Sequence, residues 1–164
     1  VTIDNPFDIT RFNTNYKPVK NEKEVVLFIG TLDHLRKNIL MDLRDMTKEN
    51  NQELWIIGAD NGEYFNSEFS QMNEWNHHIK YLGVKANVED YIKKCDYTAG
   101  IFKGRTTIEG FLCGKQGWIY TVDNQGNILN KELTNVPADI EKYNSDFSAK
   151  KVFRLYEEVL DETN

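Results

Sequence analysis

Among 164 residues there are two cysteines and three prolines. Cys95 and Cys113 are too few for a disulfide framework, and neither has metal-ligand partners at a useful spacing. No apolar stretch approaches the roughly 20 residues that a membrane-spanning helix needs, and no signal-like pattern is visible. Basic residues are in deficit, 20 against 26 acidic ones, for a net charge of −6. That balance argues against a duplex-binding surface held by phosphate contacts. No Asp-x-Asp occurs, so no obvious clamp for a metal-bound phosphate exists. What remains is ordinary for a soluble domain, 40% apolar and 28% charged residues, in enough chain to bury a core without staples. The expectation is one soluble, intracellular domain and no cofactor.

Val1 to Glu24 carries two of the prolines, many Asn and Thr, and the charged stretch Lys20 to Glu24; it reads as an extended linker. Val25-Val26-Leu27-Phe28-Ile29 before Gly30 suits a strand covered on both faces. Leu35, Ile39, Leu43 and Met46 then recur at helical spacing. The alternation continues with apolar strands at Leu54–Gly58, Ile79–Gly83, Tyr97–Ile101 and Trp118–Tyr120. Helical stretches lie between them near 63–75, 87–94 and 106–113. From Ser148 onward Val152, Phe153, Tyr156, Val159 and Leu160 mark a closing amphipathic helix. Such alternation predicts an α/β fold, an open, doubly wound, mostly parallel sheet with helices on both faces. Ligands of such sheets bind outside the carboxyl ends of the strands, where strand order reverses.

Phe102-Lys103-Gly104-Arg105-Thr106-Thr107-Ile108-Glu109-Gly110 sets a glycine, two cations and two hydroxyls between a strand end and a helix start. Free amides and the positive end of the helix dipole meet there, which suits an anionic group such as a diphosphate. The same residues also read structurally, since Thr106-x-x-Glu109 matches a capping box. Gly30-Thr31-Leu32-Asp33 followed by Arg36-Lys37 is a second cationic loop after a strand, with Asp33 as an alternative simple cap. Gly110-Phe111-Leu112-Cys113-Gly114-Lys115-Gln116 mimics a phosphate loop but has the wrong spacing, Gln for Ser or Thr, and no strand before it. Gly114 reads instead as a helix stop. Gly58-Ala59-Asp60-Asn61-Gly62 is not a dinucleotide fingerprint, and His77-His78 reads as a polar loop.

In order, these pieces resemble the carboxyl-terminal, nucleotide-sugar-binding half of GT-B glycosyltransferases of the family 4 type. Val1 to Phe12 looks like the segment joining the two domains there. Phe28-Ile29-Gly30-Thr31-Leu32-Asp33 through Lys37 is similar to the loop that touches the donor's phosphates, and Leu54-Trp55-Ile56-Ile57-Gly58 to the following strand. Ile79 to Gly83 with Tyr91 to Asp96, then Glu109-Gly110-Phe111-Leu112-Cys113-Gly114-Lys115, continue the likeness to about residue 120. Thr31 stands where the family usually has Arg, Lys37 falls one residue late, and the first of the family's two spaced glutamates is missing.

The resemblance implies an interdomain linker over 1–24 and a donor-binding domain over 25–164, one half of a GT-B fold. Glu109 would hold the ribose of a nucleotide-diphosphate sugar. The diphosphate would lie over Gly30, Thr31 and the helix start at Thr106 and Thr107, neutralised by Arg36, Lys37 and Arg105. The backbone near Gly83 would meet the base. Transfer would be metal-independent and retaining, in surface polysaccharide or glycoconjugate synthesis, in the cytoplasm or peripherally on the inner membrane face. The acceptor, a glycan or lipid-linked group, and any catalytic residue would belong to an amino-terminal domain. Two other readings stay open on the fold alone. A receiver-like signalling module needs acidic residues after the first and third strands, where Gly30-Thr31 and Gly83-Val84 stand. A non-catalytic interaction module would keep the fold without the donor.

Overall fold

The computed structural model describes residues 7–59, 77–102 and 104–143. The helices expected near 63–75 and from Ser148 onward lie outside the described residues. Strand β1 (Val25–Ile29) is central, and its side chains explain why the run is continuously apolar. Val26 and Phe28 join one core cluster with Leu32, Ile39, Leu43 and Leu54. Val25 and Leu27 join another with Phe12, Ile92, Cys95 and Cys113. Successive strand residues face opposite sides of a sheet, so β1 is buried on both.

Helix α1 (His34–Glu49) leads to β2 (Glu53–Ile57) and β3 (Ile79–Gly83); α2 (Val88–Lys94), β4 (Tyr97–Ile101) and α3 (Arg105–Leu112) follow. The sheet ends with β5 (Gln116–Val122) and β6 (Ile128–Thr134), before a 3-10 turn over Ile140–Tyr143. The six strands lie in the order β3-β2-β1-β4-β5-β6. All pairs are parallel except β5 with β6. This is the expected mostly parallel, Rossmann-like α/β sheet. The chain moves from β1 outward to β3, then returns to the other flank of β1 with β4. Strand order therefore reverses between β1 and β4, and the ends of those two strands define where a ligand crevice opens.

The antiparallel β6 was not among the expected strands. Its sequence, Ile-Leu-Asn-Lys-Glu-Leu-Thr, lacks alternation because an edge strand covers little core; Leu129 stays 66% exposed. Its signal lay in the turn instead. The Asp123 carboxylate accepts the amides of Gln125 and Asn127 at 2.8 and 2.9 Å, and Gly126 adopts φ 82°. A side chain at Gly126 would meet the His34 carbonyl at 2.8 Å. The hairpin is tied to α1 through Asp42, which accepts from Tyr120 Oη at 2.6 Å and Lys131 Nζ at 2.7 Å.

Residues 7–24 form no helix and no strand longer than a single bridge. They are nonetheless fixed to the domain. Phe12 is 2% exposed, Arg11 pairs with Glu89 at 2.6 Å, and Tyr16 Oη donates to the Cys113 carbonyl at 2.7 Å. Cys95 and Cys113 are free and buried. Burial pushes the Cys95 thiol up to about 12 and the Cys113 thiol up to about 11, so both behave as small apolar core residues. Among the described residues no helix is long and apolar enough to cross a membrane.

Candidate functional site

A cleft of about 240 Å³ opens at the carboxyl ends of β1 and β4. Gly30, Thr31 and Arg36 line it from the β1 side, and Arg105, Thr106 and Thr107 from the β4 side. The two loops singled out in the sequence thus meet in space at the reversal of strand order.

The β1–α1 loop is shaped by backbone bonds. Gly30 N donates to Ile57 O at 3.0 Å and Leu32 N to Ala59 O at 3.0 Å, while Leu32 is fully buried. Behind the loop lies Gly58, where a Cβ would sit 1.8 Å from the Gly30 carbonyl oxygen. Only glycine allows that approach. Asp33 caps α1 by accepting the Arg36 amide at 3.1 Å, and its carboxylate also pairs with the Arg36 guanidinium. The amino end of α1 is therefore closed by its own acid. Of the two adjacent cations, Arg36 lines the cleft and Lys37, half-buried, does not.

The start of α3 is built differently. The capping box expected from Thr106 and Glu109 does not form. Gly104 is the N-cap, in extended conformation with no side-chain cap bond, so Thr106 already lies inside the helix and its hydroxyl cannot reach back. Instead Thr106 Oγ1 donates to the Ile29 carbonyl at 3.0 Å, and Thr107 Oγ1 to the Gly104 carbonyl at 2.7 Å. The first bolts the helix start to the end of β1. The first-turn amides of α3 have no acceptor within the helix, and among the described residues no side chain caps them, so they are available to an anion with the helix dipole behind them. Thr106→Val should cost about 0.5–1.5 kcal/mol, the net worth of one hydrogen bond. Denaturant unfolding checks this, as a lower midpoint at unchanged slope.

Glu109 sits one turn further in, 4% exposed, and does not itself line the cleft. Its carboxylate accepts Arg105 Nε at 2.7 Å. Burial holds it above its ordinary 4.5, opposed by the Arg105 guanidinium. Arg105 is 76% exposed and rests over the Phe7 ring, 5.6 Å from its centroid. A cation in the first turn opposes the helix dipole, and pairing with Glu109 offsets that. Helix α3 comes close to β4 because residue 110 is glycine, where a Cβ would meet Thr98 Oγ1 at 2.5 Å. Gly114 ends the helix with φ 75°, as its sequence position suggested. Gly83 lies at the end of β3 with φ 69°, receives the Gly58 amide at 3.1 Å, and stands apart from the cleft. Lys103 lies outside the described residues. His77 is exposed, and His78 Nε2 lies 3.0 Å from the Arg44 carbonyl.

Sequence reasoning missed two neighbours of the cleft. Gly58 was read as the end of a strand in the family likeness and not as a dinucleotide fingerprint. Its role behind the Gly30 loop was missed, although a glycine closing a buried strand beside another strand-end glycine signals close backbone approach. Phe7 was read only as linker; nothing local marks it as a partner of Arg105.

No family model matches the chain, and no curated protein does. Solved structures do. The glycosyltransferase of Rickettsia africae superposes over 98% of this chain with a TM-score of 0.67 at 12% identity, covering 57% of that protein. The Anabaena protein HepE, solved with UDP-glucose, matches 76% of this chain with a TM-score of 0.56 at 19% identity, over 38% of its own length. The catalytic domain of Arabidopsis thaliana starch synthase IV, bound to ADP and acarbose, matches 93% of this chain at 0.55 and 15% identity, over 41% of its length. The chain therefore spans between 38% and 57% of the length of these three proteins. At these identities the likeness is one of fold, and the fold is the Rossmann-like α/β layer found in glycosyltransferases that are solved with nucleotides or nucleotide sugars.

Proposed function

We propose that this chain is the donor-binding half of a GT-B glycosyltransferase of the family 4 type, placed carboxyl-terminal to the acceptor domain, with residues 1–24 as the connection. The observation that carries the reading is the pairing of an uncapped helix start at Arg105–Thr107 with the Gly30 loop across the reversal of strand order. A nucleotide-sugar diphosphate fits that chemistry, with α3 amides and Gly30 against its oxygens and Arg36 and Arg105 as counter-charges. These cations and the helix amides stabilise the charge that develops on a leaving diphosphate without a metal. Glu109 accepts from the ribose, and the backbone near Gly83 serves the base. The sugar is transferred with retention, to a glycan or lipid-linked acceptor held by the other domain, in surface polysaccharide or glycoconjugate synthesis. The full-length protein works in the cytoplasm or against the inner face of the membrane.

Calorimetry in excess EDTA tests the donor reading. UDP, GDP or ADP should bind without divalent metal, and binding that appears only with Mg²⁺ would contradict the mechanism. Sugar transfer by residues 1–164 alone should be negligible, because the acceptor side is missing, and robust turnover would overturn the two-domain reading. One observation favours a second reading, a non-catalytic module that has lost its donor. Glu109 is buried and already satisfied by Arg105. Under that reading no nucleotide raises the melting temperature, whereas a ligand of the native state must.

A further inference from the structure

Resting on the donor reading above, we propose that Arg105 is an exchangeable placeholder. It occupies Glu109 in the empty chain, gives that carboxylate up to the ribose when the donor enters, and turns its own charge onto the diphosphate. Arg105 is a cleft-lining residue that also holds Glu109, whereas Glu109 itself is 4% exposed and does not border the cleft. A ligand that reaches the carboxylate from the cleft must therefore take the place that the guanidinium fills. The two partners are held very differently. Glu109 is fixed within α3 and its packing, but the Arg105 side chain is 76% exposed and, among the described residues, rests on the Phe7 ring besides its partner. Loss of the ion pair therefore moves one long, solvated side chain and leaves the backbone where it is. The charges also balance. The empty site keeps Arg105 directly on the buried carboxylate, with the paired charges of Arg11 and Glu89 acting on it from further away. The loaded site gives the carboxylate hydroxyl donors and gives the cation a doubly charged partner beside the α3 amides.

The exchange makes a prediction of opposite sign for two ligands. A nucleoside competes with Arg105 for Glu109 and gains nothing from its charge, so removing Arg105 should strengthen nucleoside binding. A nucleoside diphosphate needs that charge and should bind more weakly. The experiment titrates uridine and UDP at pH 8 into the wild-type chain, Arg105→Met and Arg105→Lys, with the melting transition of each recorded to show that it folds. In Arg105→Met, uridine should bind severalfold tighter and UDP about tenfold weaker. Arg105→Lys should recover much of the UDP affinity, because a charge is restored. In a Glu109→Gln background, Arg105→Met should leave uridine affinity unchanged, because no pair remains to be broken. Weaker binding of both ligands, or no change in either, would overturn the exchange and leave Arg105 as a fixed structural partner. Wild-type chain that binds neither ligand would remove the donor reading itself, and the exchange with it. A wild-type chain that binds UDP while Arg105→Met binds both as before isolates failure of the exchange alone.

Discussion

Glu109→Gln should weaken UDP or its equivalent nucleotide by about tenfold to a hundredfold while the protein stays folded. The carboxylate accepts charge-assisted hydrogen bonds from the ribose, worth roughly 1.5–3 kcal/mol, and every 1.4 kcal/mol is a factor of about ten in affinity. Stability should change by less than about 1 kcal/mol, because the substitution removes the ion pair with Arg105 and the cost of burying a charge together. Titration calorimetry and thermal unfolding on the same preparation separate the two effects. The pH dependence has a defined sign. Burial raises the folded pKa of Glu109 above its ordinary 4.5, so the folded chain binds the proton more tightly than the unfolded one. That contribution to stability is fully present below the unfolded pKa and is lost as pH rises through the folded one. Nucleotide affinity runs the other way, falling as acid protonates the acceptor. The part of that loss due to Glu109 should begin above pH 4.5 and be absent in Glu109→Gln, which keeps only the loss from protonation of the nucleotide's own terminal phosphate. A folded Glu109→Gln protein with wild-type affinity would remove the case for Glu109 as a ribose ligand.

Gly58→Ala should damage both fold and site. The added methyl would lie 1.8 Å from the Gly30 carbonyl oxygen and 2.8 Å from its carbon, and both are backbone, so no flexible side chain can yield. Overpacking of this kind costs about 1–3 kcal/mol, which lowers the melting temperature by about 2–4 °C per kcal/mol in a chain of this size. Relief comes by displacing Gly30, and that carries the loop away from the diphosphate position. Affinity should fall at least about tenfold. Gly114→Ala is the control. It lies away from the cleft, with φ 75° and a new methyl 3.2 Å from Thr14 Cγ2, so it meets backbone strain of about 1 kcal/mol without moving the Gly30 loop. Equal affinity losses in the two variants would show that the Gly58–Gly30 approach does not shape the site.

The central sheet was legible because burial on both faces leaves short, continuously apolar runs, and their length and flanking glycines mark them as strands. Val25 to Ile29 and Leu54 to Ile57 are continuous apolar runs, each closed by a glycine, and their spacing by helical patterns implies parallel crossovers. Edge strand β6 was not legible, since Leu129, Asn130 and Glu132 face solvent and no alternation survives. The helix start at Gly104 shows the limit of motif reading. Thr106-x-x-Glu109 matches a capping box in spelling, yet the tight turn that puts Gly104 N 2.8 Å from Ile101 O starts the helix earlier, and the hydroxyl of Thr106 goes to β1 instead. That choice is made by tertiary packing, which local spacing does not encode. The same holds for Arg105. Its position beside a helix start was visible in the sequence, and its partner Glu109 lies four residues on in the same helix, but its seat on Phe7 joins segments nearly a hundred residues apart.

A crystal structure of the chain grown or soaked with UDP and with GDP, without metal, tests the donor site most directly. The account predicts the diphosphate against the amides of Arg105, Thr106 and Thr107 and the Gly30 loop, the ribose on Glu109, and the base near Gly83. Nucleotide bound elsewhere, or an empty cleft at millimolar nucleotide, would contradict it.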